Sequence, residues 1–361
     1  MRTVVLVVNA CLVWAAFGAA PGEPMKFPGI DAFNFTAAEA DALERQVVSN
    51  PQDVAARTRL LGYYTPRTAM DPAARRAHGE HLLWLIRNAP ASDVHFSPLV
   101  QIPPFVDGTV YSTAKDAWLG HVERDRENVQ VLANASHFLS LRDPDLAVDL
   151  LRKAHALDRD NFWWPFRLGL VHRTASLMTI QMDGFGGVPN FNQMFEKLGP
   201  NAVSQAALAF ESFERAYRLA GPEIGGFMLV ELAKSAFDGE RYPQARSYAM
   251  TMLNTDPDHP EYARRLHVGN IVVGRVALRE GDVQLAKYHL LEAANVPRSP
   301  AIAQTGPSMT LALALLRRGE RDVVLEFLER IDPLWDSTVL DDWVAMIEAG
   351  RVPDFGANLV N

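Results

Sequence analysis

Thiol chemistry has almost no foothold in this chain, because Cys11 is the one cysteine in 361 residues. Cys11 lies inside an apolar opening stretch that reads as an export signal. A product cut near Gly18 therefore carries no cysteine, which excludes disulfides, thiolate metal sites and thiol nucleophiles. Basic charge is also scarce. Lys and Arg number 35 against 43 Asp and Glu, a formal net charge of −8. An acidic chain repels phosphate backbones, so nucleic acid is not the expected partner, although a local basic patch is compatible with that average. The first apolar run is shorter than the roughly 18–20 residues that span a bilayer, and no later run reaches that length.

Catalytic signatures are lacking too. His78-Gly79-Glu80-His81 puts two histidines three apart, with His95 or Glu44 as outside candidates for a third ligand, but the zinc-protease string His-Glu-x-x-His is absent. The two histidines are expected on the solvated face of a helix. The glycines between Asp183 and Asn190 are followed by no Gly-Lys-Ser/Thr, so they are no phosphate loop. No Ser-His-Asp order and no carboxylate pair stands out. The expectation is a non-enzyme with no catalytic residue, cofactor or metal.

The N-terminus supplies an address. Arg2 gives the positive start, Val4 to Phe17 is nearly all apolar, and Ala16-Phe17-Gly18 offers small residues for cleavage. Residues 1–20 read as a signal peptide and the destination as periplasmic or extracellular. Val8-Asn9-Ala10-Cys11 is a weaker fit to a lipoprotein box, with Asn9 out of place. Membrane association would follow only from a lipidated or uncleaved N-terminus.

What the chain has in quantity is apolar residues, 48% of the total, arranged as repeats. From Asn128 to Asn161, Val131, Ala135 and Phe138 share one helical face. Asp143-Pro144 starts a second helix whose stripe is Ala147, Leu151 and Ala154. Small residues let paired helices approach, and large ones fill the gaps. Asn270 to Ala293 repeats the scheme with Gly274 small, Gly281-Asp282 as the turn and Ala286, Leu290 and Ala293 inside. Leu229 to Met252 repeats it with Ala233, Gly239, Tyr242 and Ala245, and Leu311 to Leu328 with Ala312, Leu315 and Gly319. Leu61-Gly62-Tyr63-Tyr64 marks a divergent earlier unit. These residues resemble the tetratricopeptide-repeat family, and the chain is similar to secreted bacterial proteins of that kind. The match covers roughly residues 37–347, with units somewhat longer than that family's usual 34 residues.

The resemblance implies an all-α, right-handed α-solenoid of tetratricopeptide-like helix pairs with a C-terminal capping helix. The expected organisation is a signal peptide over residues 1–20 and an N-terminal region over 21–110. Repeats follow over 111–335, and the capping helix and tail over 336–361. Leu340 to Ala349 should be the cap, with Trp343 and Ile347 inward and Gly350 closing it. Two segments break the rhythm. Ala89 to Ser112 is proline-rich with Phe96, Leu99, Ile102, Phe105 and Tyr111, and reads as a packed, extended crossing. Met178 to Asn201 is an insertion.

The resemblance also points to function: a scaffold holding a protein or peptide on its concave face. Lys234 and Arg275 fall at matching places on successive inner helices, and Arg279 lies one turn beyond Arg275. Some family members clamp a peptide's terminal carboxylate with such cations plus asparagines. Here Ser136, Leu170 and Leu313 hold the matching places, so that clamp is incomplete. In Phe162-Trp163-Trp164-Pro165 both tryptophans cannot point inward, which leaves Trp163 to edge a groove. The partner-binding set is thus Trp163, Lys234, Arg275 and Arg279. Two alternatives stand beside it, a membrane-anchored envelope assembly factor and an enzyme with residues 178–201 as a lid. Homo-oligomerisation through terminal repeats stays open.

Overall fold

Proline has a fixed φ and no N–H to leave unpaired, which suits the first turn of a helix. The chain uses it there repeatedly, at Pro72, Pro144, Pro200, Pro243 and Pro300. Elsewhere Thr36, Asp53, Asn128 and Asp282 cap helices by accepting from backbone N–H groups of the first turn.

The computed structural model describes residues 28–102, 108–182 and 199–360. Among them every regular element is helical. The chain divides into two compact units, Met1–Val171 and His172–Asn361.

The first unit contains α1 (Ala37–Ser49), α2 (Val54–Tyr64), α3 (Pro72–Asn88), α4 (Gly108–Arg124), α5 (Val129–Leu139) and α6 (Pro144–Leu157). It ends within α7 (Trp163–Met182). Successive helices pack on one another: α1 on α2, α2 on α3, α3 on α4 and α5 on α6. The anticipated stripes of α5 and α6 are interior, with Val131, Ala135, Phe138, Ala147, Leu151 and Ala154 all buried. Residues 89–102 are not fully extended. They form two short 3-10 turns, Asp93–Phe96 and Pro98–Val100, the first of which packs on α5. Leu99, Ile102 and Tyr111 are buried as expected, but Tyr111 already belongs to α4. Phe105 lies outside the described residues.

The second unit contains α8 (Pro200–Gly225), α9 (Leu229–Asp238), α10 (Tyr242–Leu253), α11 (Tyr262–Arg279), α12 (Val283–Ala294), α13 (Pro300–Thr305), α14 (Thr310–Leu316), α15 (Arg321–Ile331) and α16 (Val339–Glu348). Helix α8 breaks at Gly221-Pro222. Pairs α9/α10, α11/α12 and α14/α15 form, and the first helix of each pair touches the next first helix: α9 meets α11, and α11 meets α14. This is the layering of a tetratricopeptide-like helical repeat, all-α as the sequence implied. Small residues permit it. A Cβ built on Gly274 would come within 2.3 Å of Leu311 Cδ2, and one on Gly239 within 2.8 Å of the Ala207 backbone. Gly239 is therefore a packing residue, while the left-handed turn after α9 falls on Glu240, φ 59°.

Helix α16 caps the stack with Leu340, Trp343 and Ile347 buried. It closes through Gly350 at φ 75°, with Arg351 N–H donating to Met346 O and Gly350 N–H to Ile347 O. The following segment turns back into the unit. Phe355 packs edge-on against Trp343 at 4.9 Å, and Leu359 is buried. Met309 N–H donates to Asn358 O at 2.8 Å, and Asn358 Nδ2 donates to Pro307 O at 2.9 Å. The insertion at 178–201 lies mostly outside the described residues, with α7 running to Met182 and α8 starting at Pro200.

Candidate functional site: a cationic groove in the second unit

Helices α9, α11 and α14 present matching positions along one side of the second unit. Lys234 and Asp238 on α9, Arg275 and Arg279 on α11, and Leu313 on α14 with Arg317 at its C-cap are each four apart, one turn, and so share a face. Between them lies a groove of about 470 Å³, within the usual range for ligand sites. Its walls include Phe237, Tyr242, Leu278, Arg279, Leu313, Arg317, Arg318 and Leu359.

Below the groove is a buried ion network. Asp238 accepts from Arg173 Nη1 at 2.7 Å and pairs with Arg275 Nη2 at 3.2 Å. Glu231 lies 3.7 Å from Arg173 and 3.9 Å from Lys234. Burial pushes the Asp238 carboxyl up, but Arg173 and Arg275 outweigh it and hold the pKa below its ordinary value. Burial likewise drives the Lys234 ammonium down to about 8, against the pull of Glu231. Lys234 Nζ also donates to the carbonyl of Val360 at 2.7 Å. Three cations thus share two carboxylates, and a backbone oxygen of the tail completes the set.

Towards solvent the cations become accessible. Arg275 stacks over Phe237 at 3.8 Å and Arg279 over Tyr242 at 5.2 Å. Arg279, Arg317 and Arg318 are exposed, and Arg318 donates to Leu278 O at 3.1 Å. Over the whole site the cations are Arg173, Lys234, Arg275, Arg279, Arg317 and Arg318, and the anions are Glu231, Asp238 and Glu240. The site is positive within a chain of net charge −8. Such a local field draws in acidic ligands.

The structure therefore gathers three of the four anticipated binding residues. Lys234 is at the floor, engaged internally, Arg275 is half in the network, and Arg279 is on the open wall. Trp163 belongs to the first unit, half-buried against Phe162 at 4.9 Å and Phe166 at 5.6 Å. Its neighbour Trp164 is the buried one, with Nε1 donating to Asp158 at 3.0 Å. The sequence reading missed Arg173, Asp238 and the Arg317-Arg318 pair. The pair was legible, since Arg317 follows Leu313 as Arg279 follows Arg275.

The histidines are not on a solvated face. His78 is buried and donates from Nε2 to Leu99 O at 2.9 Å. His81, also buried, donates from Nε2 to Glu44 at 3.0 Å, and Arg57 approaches its Nδ1 at 3.3 Å. His95 hydrogen-bonds the Ala89 carbonyl. Each ring serves as an internal strut. No cluster of three or more metal-ligating side chains occurs among the described residues.

No family model matches the chain, and no curated protein matches it. A solved structure of the human IFIT1 dimer with m7Gppp-AAAA matches with a TM-score of 0.42 and 14% identity, covering 87% of this chain and 66% of that one. The chain thus spans just under two thirds of that protein's length. Among the described residues no helix is long and apolar enough to cross a membrane.

Proposed function

We propose that the protein is a non-catalytic binding scaffold, exported from the cell, whose second unit holds an acidic extended segment of a protein partner. The observation that carries this reading is the groove of α9, α11 and α14. It combines exposed Arg279, Arg317 and Arg318 with the apolar walls of Leu278, Leu313 and Leu359. Arginine forks suit carboxylates, and the aromatic rings beneath Arg275 and Arg279 hold those forks in place. The buried floor is stabilised by its own carboxylates, whereas the rim is exposed to solvent. Export rests on the apolar N-terminal stretch of the sequence.

The test is a titration of the full chain against a fluorescein-labelled oligoglutamate peptide. Binding should weaken as salt is raised, and the double variant Arg279→Glu/Arg317→Glu should bind roughly tenfold or more weakly with an unchanged melting temperature. Equal binding by the variant, or a preference for an RNA oligomer over the peptide, would sink the reading.

A further inference from the structure

Buried cations of the second unit sit against carboxylates, as the cost of burying charge requires. In the first unit Arg167 does not follow that rule. It lies on α7 one turn after Trp163, with its guanidinium stacked 4.0 Å over the ring of Phe96 and 5.5 Å from that of Trp164. Stacking covers the faces of the guanidinium plane, whereas its N–H donors point outward in the plane. Among the described residues, Nε and Nη1 have neither a hydrogen-bond acceptor nor solvent contact. These two nitrogens carry three of the five donors of an arginine.

The carboxylate whose field reaches Arg167 is Asp93, which is exposed and makes no ion pair with it. Burial lowers the guanidinium to about 10, only partly opposed by Asp93. A lone acceptor lies in the same cluster. Gln101 donates from Nε2 to the His137 carbonyl at 2.5 Å, the His137 ring lies 5.2 Å from Phe96, and Gln101 Oε1 is buried without a partner. Arg167 as a whole is only partly covered, and Nη2 is the guanidinium nitrogen that does not belong to that sealed pair.

We propose that Arg167 anchors an oxyanion site in the first unit, separate from the groove of the second. Its ligand is a small carboxylate or phosphate that also carries a hydroxyl group. The anion takes the in-plane donors of Arg167, Phe96 is the platform that fixes the plane, and Gln101 Oε1 accepts from the hydroxyl. A stacked arginine without a carboxylate of its own is preorganised for such an anion, because little rotamer freedom remains to be lost on binding.

The experiment is thermal melting of the full chain with malate, with glycerol 3-phosphate, and with sodium chloride at matched ionic strength. One of the two organic anions should raise the melting temperature by roughly 5 °C at saturation, and which one does so identifies the source of the oxyanion. Arg167→Gln should abolish that rise, and Arg279→Glu/Arg317→Glu should retain it. The proposal is overturned if neither anion exceeds chloride, or if Arg167→Gln responds like the wild type. Should that variant fail to fold, wild-type tryptophan fluorescence decides instead. Trp164 beside Arg167 should give a saturable change with the same anion and none with chloride, and no change would overturn the site.

Discussion

At the scale of single residues, several buried polar side chains tie elements together. His267 donates from Nδ1 to Ala293 O at 2.7 Å and accepts from Ser308 N–H at 2.8 Å, tying α11 to α12 and to the start of α14. Burial holds its pKa down to about 4, as it does for His78 and His95. An unfolded chain takes up those protons near pH 6.5. Between pH 6.5 and 4 the unfolded state therefore binds more protons, and stability falls as the pH drops through that window. His267→Gln, whose amide can still accept from Ser308, should reduce the pH slope of urea stability by about 1.4 kcal/mol per pH unit. An unchanged slope would mean that His267 titrates normally. Asp238 is the second such residue. Asp238→Ala leaves Arg275 without its carboxylate and Arg173 with Glu231 alone, and should cost about 3–5 kcal/mol in urea unfolding. Adding Arg173→Met should recover part of that loss, a double-variant measurement that separates charge from packing.

At the scale of helices, periodicity and spacing were enough to read much of the fold. The stripes Ala147, Leu151 and Ala154, and Ala286, Leu290 and Ala293, are interior because the 3.6-residue repeat determines which face each helix offers. Asp143-Pro144 and Gly350 mark a start and an end by backbone geometry alone, which any window of sequence displays. The histidines were misplaced for the opposite reason. Whether His78 meets water or Leu99 O depends on a segment 21 residues away, and no local pattern records that. The site was half legible: matching registers yield Lys234, Arg275, Arg279 and, carried one repeat further, Arg317. What register cannot tell is that Lys234 already has an internal acceptor. Close packing gives its own prediction. Gly239→Ala drives a Cβ into the Ala207 backbone, whereas Gly274→Ala presses chiefly on the movable end of Leu311. Both should destabilise, Gly274→Ala by roughly 1–3 kcal/mol and Gly239→Ala by more, as calorimetry can check.

At the scale of the molecule, charge is segregated. The chain as a whole carries a net charge of −8, and the groove of the second unit concentrates positive charge against that background. The expected loss of oligoglutamate binding on reversing Arg279 and Arg317 belongs here, because the rim acts through its summed field more than through any one pair. The oxyanion site at Arg167 is its counterpart on a smaller scale, one cation fixed by a ring instead of a cluster sharing a rim.

The segment after α16 has a consequence for how the protein is made. Phe355, Asn358 and Leu359 fill positions inside the second unit, between helices synthesised much earlier. A chain that reaches only Glu348 possesses all the repeat helices but lacks the Phe355 contact of Trp343, the acceptor of Met309 N–H and the donor to Pro307 O. The second unit is thus complete only once this segment has folded back, and a chain without it displays part of its apolar face.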